Sequence, residues 1–212
     1  MKVKIFVVNP FEMNCYLYYN EKSKEGIIID PGASDDSEKK LITGFLKENG
    51  VNLKHIINTH GHIDHILGNK WAKDTFQVPV MMHKKDLEFL QRGKEQAAQF
   101  GLSFPELPQP DVFLEENDIV EFDDCSLKVL HTPGHSPGGI CLVDERERII
   151  FAGDTIFRNS IGRTDLQGGD IDELLASINN KLFKYNDDYT IYPGHYEPTT
   201  IGEEKESNPF LK

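Results

Sequence analysis

The sequence has few of the features that staple a protein covalently, anchor it in a membrane or match it to a polyanion. Three cysteines occur in 212 residues, Cys15, Cys125 and Cys141, odd in number, far apart and never in a CxxC pair. That excludes a disulfide-dense secreted scaffold and leaves buried, reduced thiols as the expectation. No apolar run approaches the roughly 20 residues needed to span a bilayer. The opening apolar stretch is also too brief for a signal-peptide core, since Pro10, Glu12 and Asn14 interrupt it. A cytoplasmic location with no membrane contact is therefore expected. Basic side chains are scarce: 23 stand against 35 acidic ones, for a net charge of −12. Such a surface repels polyanions at long range, which makes nucleic acid a disfavoured partner. There is no internal repeat.

Within that frame the chain has the size of an ordinary globular domain, and one domain over residues 1–212 is expected. Apolar, β-branched runs at 5–8, 15–19 and 27–29 predict opening strands, the third closed by Asp30-Pro31-Gly32. Leu41, Ile42, Phe45 and Leu46 recur at helical spacing after Asp36, with Gly50 as the stop. Strands follow at 55–58 and 80–82, then a run of short strands between Ile119 and Ala152. Ile171, Leu174, Leu175, Ile178 and Leu182 mark a second helix with Asp170 as N-cap. Two groups of strands, each followed by helix, give a layered α/β domain whose strand-end loops are free to build a site. Between 84 and 113 the pattern breaks into a helical and then Pro-rich excursion. Its Phe89, Phe100 and Phe104 either wall a pocket or pack the excursion onto the domain.

The segment Thr59-His60-Gly61-His62-Ile63-Asp64-His65 puts three histidines and an aspartate within six positions at a strand end. Packing does not call for such density. Imidazole and carboxylate are the donors that divalent zinc, iron or manganese accept. Three more candidates follow beside glycines: His135 in Thr132-Pro133-Gly134-His135, Asp154 in Gly153-Asp154-Thr155, and His195 in Pro193-Gly194-His195. His55, His83 and His131 sit at strand starts, strand ends or turns and are expected to be structural or supporting. Asp30 either supports the metal loops by hydrogen bonding or caps its own turn.

This arrangement resembles the metallo-β-lactamase superfamily, whose metal signature is HxHxDH followed by a distant His, Asp and His. All seven positions are filled. Asp30-Pro31-Gly32, Gly162-Arg163-Thr164-Asp165 and the closing Thr199-Thr200-Ile201-Gly202-Glu203-Glu204 and Asn208-Pro209-Phe210-Leu211 look like the short glyoxalase II-like subgroup, so the resemblance covers almost the whole chain. It implies a four-layer αββα sandwich and two divalent metal ions, zinc first, with iron or manganese as alternatives. His60, His62 and His135 would hold one metal, and Asp64, His65 and His195 the other. Asp154 would bridge both, so that Asp64 and Asp154 are the catalytic carboxylates. Arg163 takes the place of a basic residue that helps bind the anionic glutathione part in glyoxalase II, though an ion pair with Asp165 competes for its guanidinium.

Two cations about 3.5 Å apart can share a water and lower its pKa from about 15.7 towards 7, so attack of a metal-bound hydroxide on an acyl group is expected. A thiolate leaves without much help from an acid, whereas the amine of an opened β-lactam needs a proton. Several true β-lactamases of the superfamily carry cysteine where this chain has Asp154. A small-molecule thioester is thus the preferred substrate, with antibiotic hydrolysis ranked below it. Full-length glyoxalase II enzymes grip glutathione with a C-terminal helical domain for which this sequence, ending soon after His195, has no counterpart. The alternative is an oxidoreductase. Gly162-Arg163-Thr164-Asp165-Leu166-Gln167-Gly168 also looks like persulfide dioxygenases, in which His60, His135 and Asp154 would hold a single iron.

Overall fold

The computed structural model describes residues 1–99 and 107–212. Its first sheet runs in spatial order through β1 (Lys2–Val8), β2 (Met13–Tyr19), β3 (Glu25–Ile29), β4 (Asn52–Ile57), β5 (Val80–His83) and β6 (Val112–Leu114). The first three strands are antiparallel and the rest parallel. The parallel register requires crossovers. Helix α1 (Asp36–Asn49) provides the one between β3 and β4, and α2 (Ile63–Ile66) with α3 (Asn69–Phe76) the next. Helix α1 starts on a capping box between Asp35 and Glu38 and ends where Gly50 takes a left-handed φ of 68°, a conformation that glycine adopts without a Cβ clash.

The second sheet is built from β7 (Ile119–Phe122), β8 (Cys125–His131), β9 (Ile140–Asp144) and β10 (Ile149–Gly153), all antiparallel. A two-residue-strand hairpin, β11 (Ile156–Phe157) and β12 (Ser160–Ile161), and helix α6 (Ile171–Asn180) then lead to β13 (Thr190–Pro193), which joins β10 in parallel. The strand β14 (Thr199–Thr200) completes the sheet beside β13 and runs into α7 (Ile201–Ser207). Asp170 caps α6 by accepting from the Glu173 N–H, as its position in sequence predicts.

Side-chain alternation sorts each strand between two layers. Along β2 every residue is buried: Tyr16 and Tyr18 face the second sheet, while Met13, Cys15, Leu17 and Tyr19 face the first sheet's helices. Ile27, Ile29 and Ile57 meet Leu127, Val129, Leu142 and Phe151 between the sheets. Ile28 and Ile56 pack under Ile42 and Leu46 of α1, and on the far side Cys141, Ile150 and Ile191 pack under Leu174 and Ile178 of α6. The order of layers is αββα, the sandwich expected from the sequence.

The excursion after β5 begins with a 3₁₀ turn at Lys84–Asp86 and continues as α4 (Leu87–Gln91) and α5 (Gly93–Gln99). Its expected far boundary is corrected: Val112 and Phe113 are not loop but strand β6, paired with Met81 and Met82. Phe100 and Phe104 lie outside the described residues. No described helix is long and apolar enough to cross a membrane.

Candidate metal centre

Four strand ends converge on one edge of the sandwich. Residues 59–65 follow β4 and enter α2, His135 lies in the turn between β8 and β9, Asp154 directly follows β10, and His195 follows β13 after Gly194. The two sheets are laced together at this edge by Ile140 N–H to Thr59 O at 2.9 Å and Asn14 N–H to Gly194 O at 2.7 Å. A Cβ at Gly194 would collide with Asp154 Oδ1 and lie 2.7 Å from His65 Cε1, so the β13 turn reaches the cluster only with glycine there.

All seven sequence-derived residues come together. His135 Nε2 lies 2.8 Å from His62 Nδ1 and 3.2 Å from His60 Nε2. His195 Nε2 and His65 Nε2 lie 3.0 and 3.5 Å from Asp64 Oδ2. Asp154 stands between these sets, with Oδ1 at 3.3 Å from His65 Nε2 and Oδ2 at 3.5 Å from His135 Nε2 and 3.7 Å from His195 Nε2. Donors around a tetrahedral ion with bonds of about 2.0–2.1 Å stand about 3.3 Å apart. The observed spacings straddle that value. Among the described residues, buried His62 Nε2, His65 Nε2 and Asp154 Oδ1 have no hydrogen-bond partner. For His65 and Asp154, whose unpartnered atoms face the cluster, a bound cation would remove the cost of burying them. The donor set therefore fits divalent metal.

Charge within the cluster divides its imidazoles. Burial pushes the His60 and His62 imidazoles down, His62 to about 3, leaving both neutral as donors must be. Burial also opposes charge on His65, but Asp64, Asp154 and Asp30 outweigh it and raise its pKa. Burial likewise works against the Asp64 and Asp154 carboxylates, yet His65 foremost holds both below the usual range. Two ionised carboxylates thus face the space between the imidazoles.

The imidazoles are oriented from behind, a device that selects the tautomer and aims the other nitrogen. His65 Nδ1 lies 2.9 Å from Asp30 Oδ2, and His60 Nδ1 lies 3.2 Å from Thr59 Oγ1, which itself donates to Asp30 at 2.6 Å. His135 Nδ1 meets Arg163 O at 2.8 Å, and His195 Nδ1 meets Phe11 O at 3.1 Å. His62 alone turns Nδ1 inward. Asp30 thus supports the metal loops: its side chain takes the Thr59 N–H at 2.7 Å, while the contact within its own turn is backbone only.

His55, His83 and His131 stay outside the cluster. His83 and His131 stack at 4.1 Å, and His55 contacts Glu121 O. Sequence reasoning missed four supporting residues. Asn9 donates to Gly32 O and Asp64 O at 3.0 and 2.9 Å. Asn14 and Tyr16 hold Pro193 O at 3.0 and 2.5 Å, fixing the turn that carries His195. Asp86 accepts from both histidine loops. None lies beside a glycine or another histidine, and only Asn9, before Pro10, carries even a turn signal.

Over the cluster opens a cavity of about 590 Å³, the size of a small-molecule site. Phe11, Phe157 and Tyr196 line it together with Phe89 and Arg92 of the excursion and Arg163, whose side chain is mostly exposed. Phe89 also sets its ring edge-on to His62 at 5.1 Å. Arg163 makes a bidentate pair with Asp165, both contacts 2.7 Å, between side chains that are mostly exposed.

The model of the metallo-beta-lactamase superfamily matches residues 8–195. The hydroxyacylglutathione hydrolase GloC of Haemophilus influenzae is 38% identical, covering 100% of this chain and 98% of its own. Among solved structures, BLEG-1, described as a B3 metallo-beta-lactamase, is 37% identical with a TM-score of 0.91 and full coverage of both chains. TTHA1623, solved in a di-iron-bound form, is 34% identical with a TM-score of 0.87, covering 98% of this chain and 100% of its own.

Proposed function

The chain belongs to the metallo-beta-lactamase superfamily, and from that premise we propose that it is a dinuclear metal hydrolase cleaving acyl thioesters of the hydroxyacylglutathione kind. The observation that carries the reading is Asp154, whose carboxylate stands within reach of both histidine sets, Oδ2 at 3.5 Å from His135 of the one and Oδ1 and Oδ2 at 3.3 and 3.7 Å from His65 and His195 of the other. His60, His62 and His135 would hold one ion, Asp64, His65 and His195 the other, with Asp154 shared. When bound, such a pair supplies an acidified water and positive charge for a developing oxyanion. Zinc is the proposed metal; the di-iron neighbour makes iron the first alternative.

The chain's own groups do the rest. Asp64 Oδ2, 3.0 Å from His195 Nε2 and lining the cavity, is placed to orient the attacking water. Phe11, Phe89 and Phe157 wall the acyl group from bulk water. A thiolate departs unprotonated, since its parent thiol has a pKa of about 8.5. Arg163 at the rim would take an anionic part of the substrate in exchange for the Asp165 carboxylate. The glyoxalase II relative, of nearly the same length as this chain, supports a thioester substrate. The relative described as a B3 metallo-beta-lactamase favours a second reading, β-lactam hydrolysis.

Elemental analysis and three parallel assays decide among these. The expected result is about two divalent ions per chain, thiol release from lactoylglutathione without oxygen uptake, and slower turnover of a chromogenic cephalosporin. Cephalosporin turnover above thioester turnover would replace the proposal with the second reading. One iron per chain with oxygen uptake on glutathione persulfide would replace it with an oxidoreductase.

A further inference from the structure

Two buried carboxylates, Asp30 and Asp86, tie the cluster to the fold at different places. Asp30 serves His65 and, through Thr59, His60, while Asn9 and the Phe11 carbonyl secure Asp64 and His195. On the other side stands Asp86, fully buried (0% exposed) at the start of the excursion. Its Oδ2 accepts the Gly61 N–H at 2.8 Å and the Ser136 hydroxyl at 2.8 Å, and its Oδ1 accepts the Gly138 N–H at 2.5 Å. Gly61 lies between His60 and His62, and Ser136 and Gly138 follow His135. One carboxylate therefore bridges the stretch between His60 and His62 to the turn that follows His135, and among the described residues no hydrogen bond or ion pair joins it to Asp64, His65 or His195.

The seating is tight. A Cβ at Gly138 would fall 2.7 Å from both Asp86 Cγ and its backbone nitrogen, so the His135 loop lies directly on the carboxylate. Phe89, three residues further along the same segment, sets its ring against His62. All three partners are donors, so the site needs acceptors only. An amide in the same place would turn an NH₂ toward an N–H or force the donors apart.

We infer that Asp86 is a positioning residue that sets the metal affinity of the His60–His62–His135 set and leaves the Asp64–His65–His195 set unaffected. The inference rests on the reading above that both sets hold metal. Partners behind metal ligands are worth about 10–100-fold in affinity. A general structural role would instead loosen both sets together.

The test is a Zn²⁺ titration of metal-free protein against a chromophoric chelator, resolving two binding steps. Asp86→Asn is expected to weaken one step about 10–100-fold and shift the other by less than about twofold. In a His195→Ala background, which leaves the first set, Asp86→Asn should weaken the remaining step. In a His62→Ala background it should not. Ser136→Ala removes one of the three donors, keeps the carboxylate, and should weaken the same step by roughly tenfold or less; it decides the matter if Asp86→Asn does not fold. Equal weakening of both steps, or unchanged binding in Ser136→Ala and Asp86→Asn alike, overturns the inference while leaving the dinuclear reading intact. Fewer than two steps in the unsubstituted protein overturns that reading and the inference with it.

Discussion

At the floor of the cavity four of the five imidazoles place Nδ1 against an oxygen of the protein, and the carboxylates behind them are buried to within a few per cent. At the mouth, Arg163 and Arg92 pair with Asp165 and Glu95 through side chains that are 43–68% exposed. The floor is held by hydrogen bonds whose loss strands a buried polar atom, at about 1–3 kcal/mol each. Exposed ion pairs at the mouth are worth about 0–1 kcal/mol and exchange readily with a ligand or water. Under the proposed function the contrast assigns different work to each: floor residues would decide whether cations are held, and mouth residues which substrate is held.

The sharpest way to break this division is at Asp154. Asp154→Ala should reduce bound metal from roughly two per chain to below one and remove thioester hydrolysis together, because one carboxylate faces both sets. Elemental analysis beside a thiol-release assay reads both quantities. Full activity in that variant would end the proposed mechanism.

A middle effect is expected at Phe89, which touches both regions. Phe89→Ala should raise KM for an apolar acyl thioester about tenfold, equivalent to roughly 1.4 kcal/mol, with metal content unchanged. Loss of metal in this variant would show that the ring holds His62 in place, and would move Phe89 from the mouth to the floor.

The smallest effect belongs to Arg163. Its replacement by alanine should raise KM for an anionic thioester about fivefold, near 1 kcal/mol, and leave kcat and metal content nearly constant, as loss of uniform binding requires. The carbonyl that orients His135 is backbone and survives the substitution. An equal loss with a neutral thioester, or a lower melting temperature, would assign the guanidinium to the loop through Asp165.

Much of the floor was legible in the sequence because metal chemistry admits few residue types. Three histidines and an aspartate in six positions, and three glycine-flanked ligands far downstream, have few other uses, and all seven converge. Asp86 was illegible for the opposite reason. It is a lone aspartate in a charged stretch, and only the approach of Gly61 and Gly138 from distant loops distinguishes it from its exposed neighbours Lys84 and Lys85. The end of the excursion was misplaced because Val112 and Phe113 form a short edge strand, partly exposed, whose pattern is too brief to read without its partner β5.

The amino-acid sequence by itself determined the donor inventory, the strand at 15–19, and the helix start at Asp170 and stop at Gly50, since each depends on residue type and local spacing. Tertiary structure alone decided which nitrogen of each imidazole faces the cluster and which carboxylate stands behind which loop. It also decided that Arg163 meets His135 through its backbone carbonyl. These are contacts between segments far apart in the chain, set by how strand ends meet across two sheets, and no local pattern encodes them.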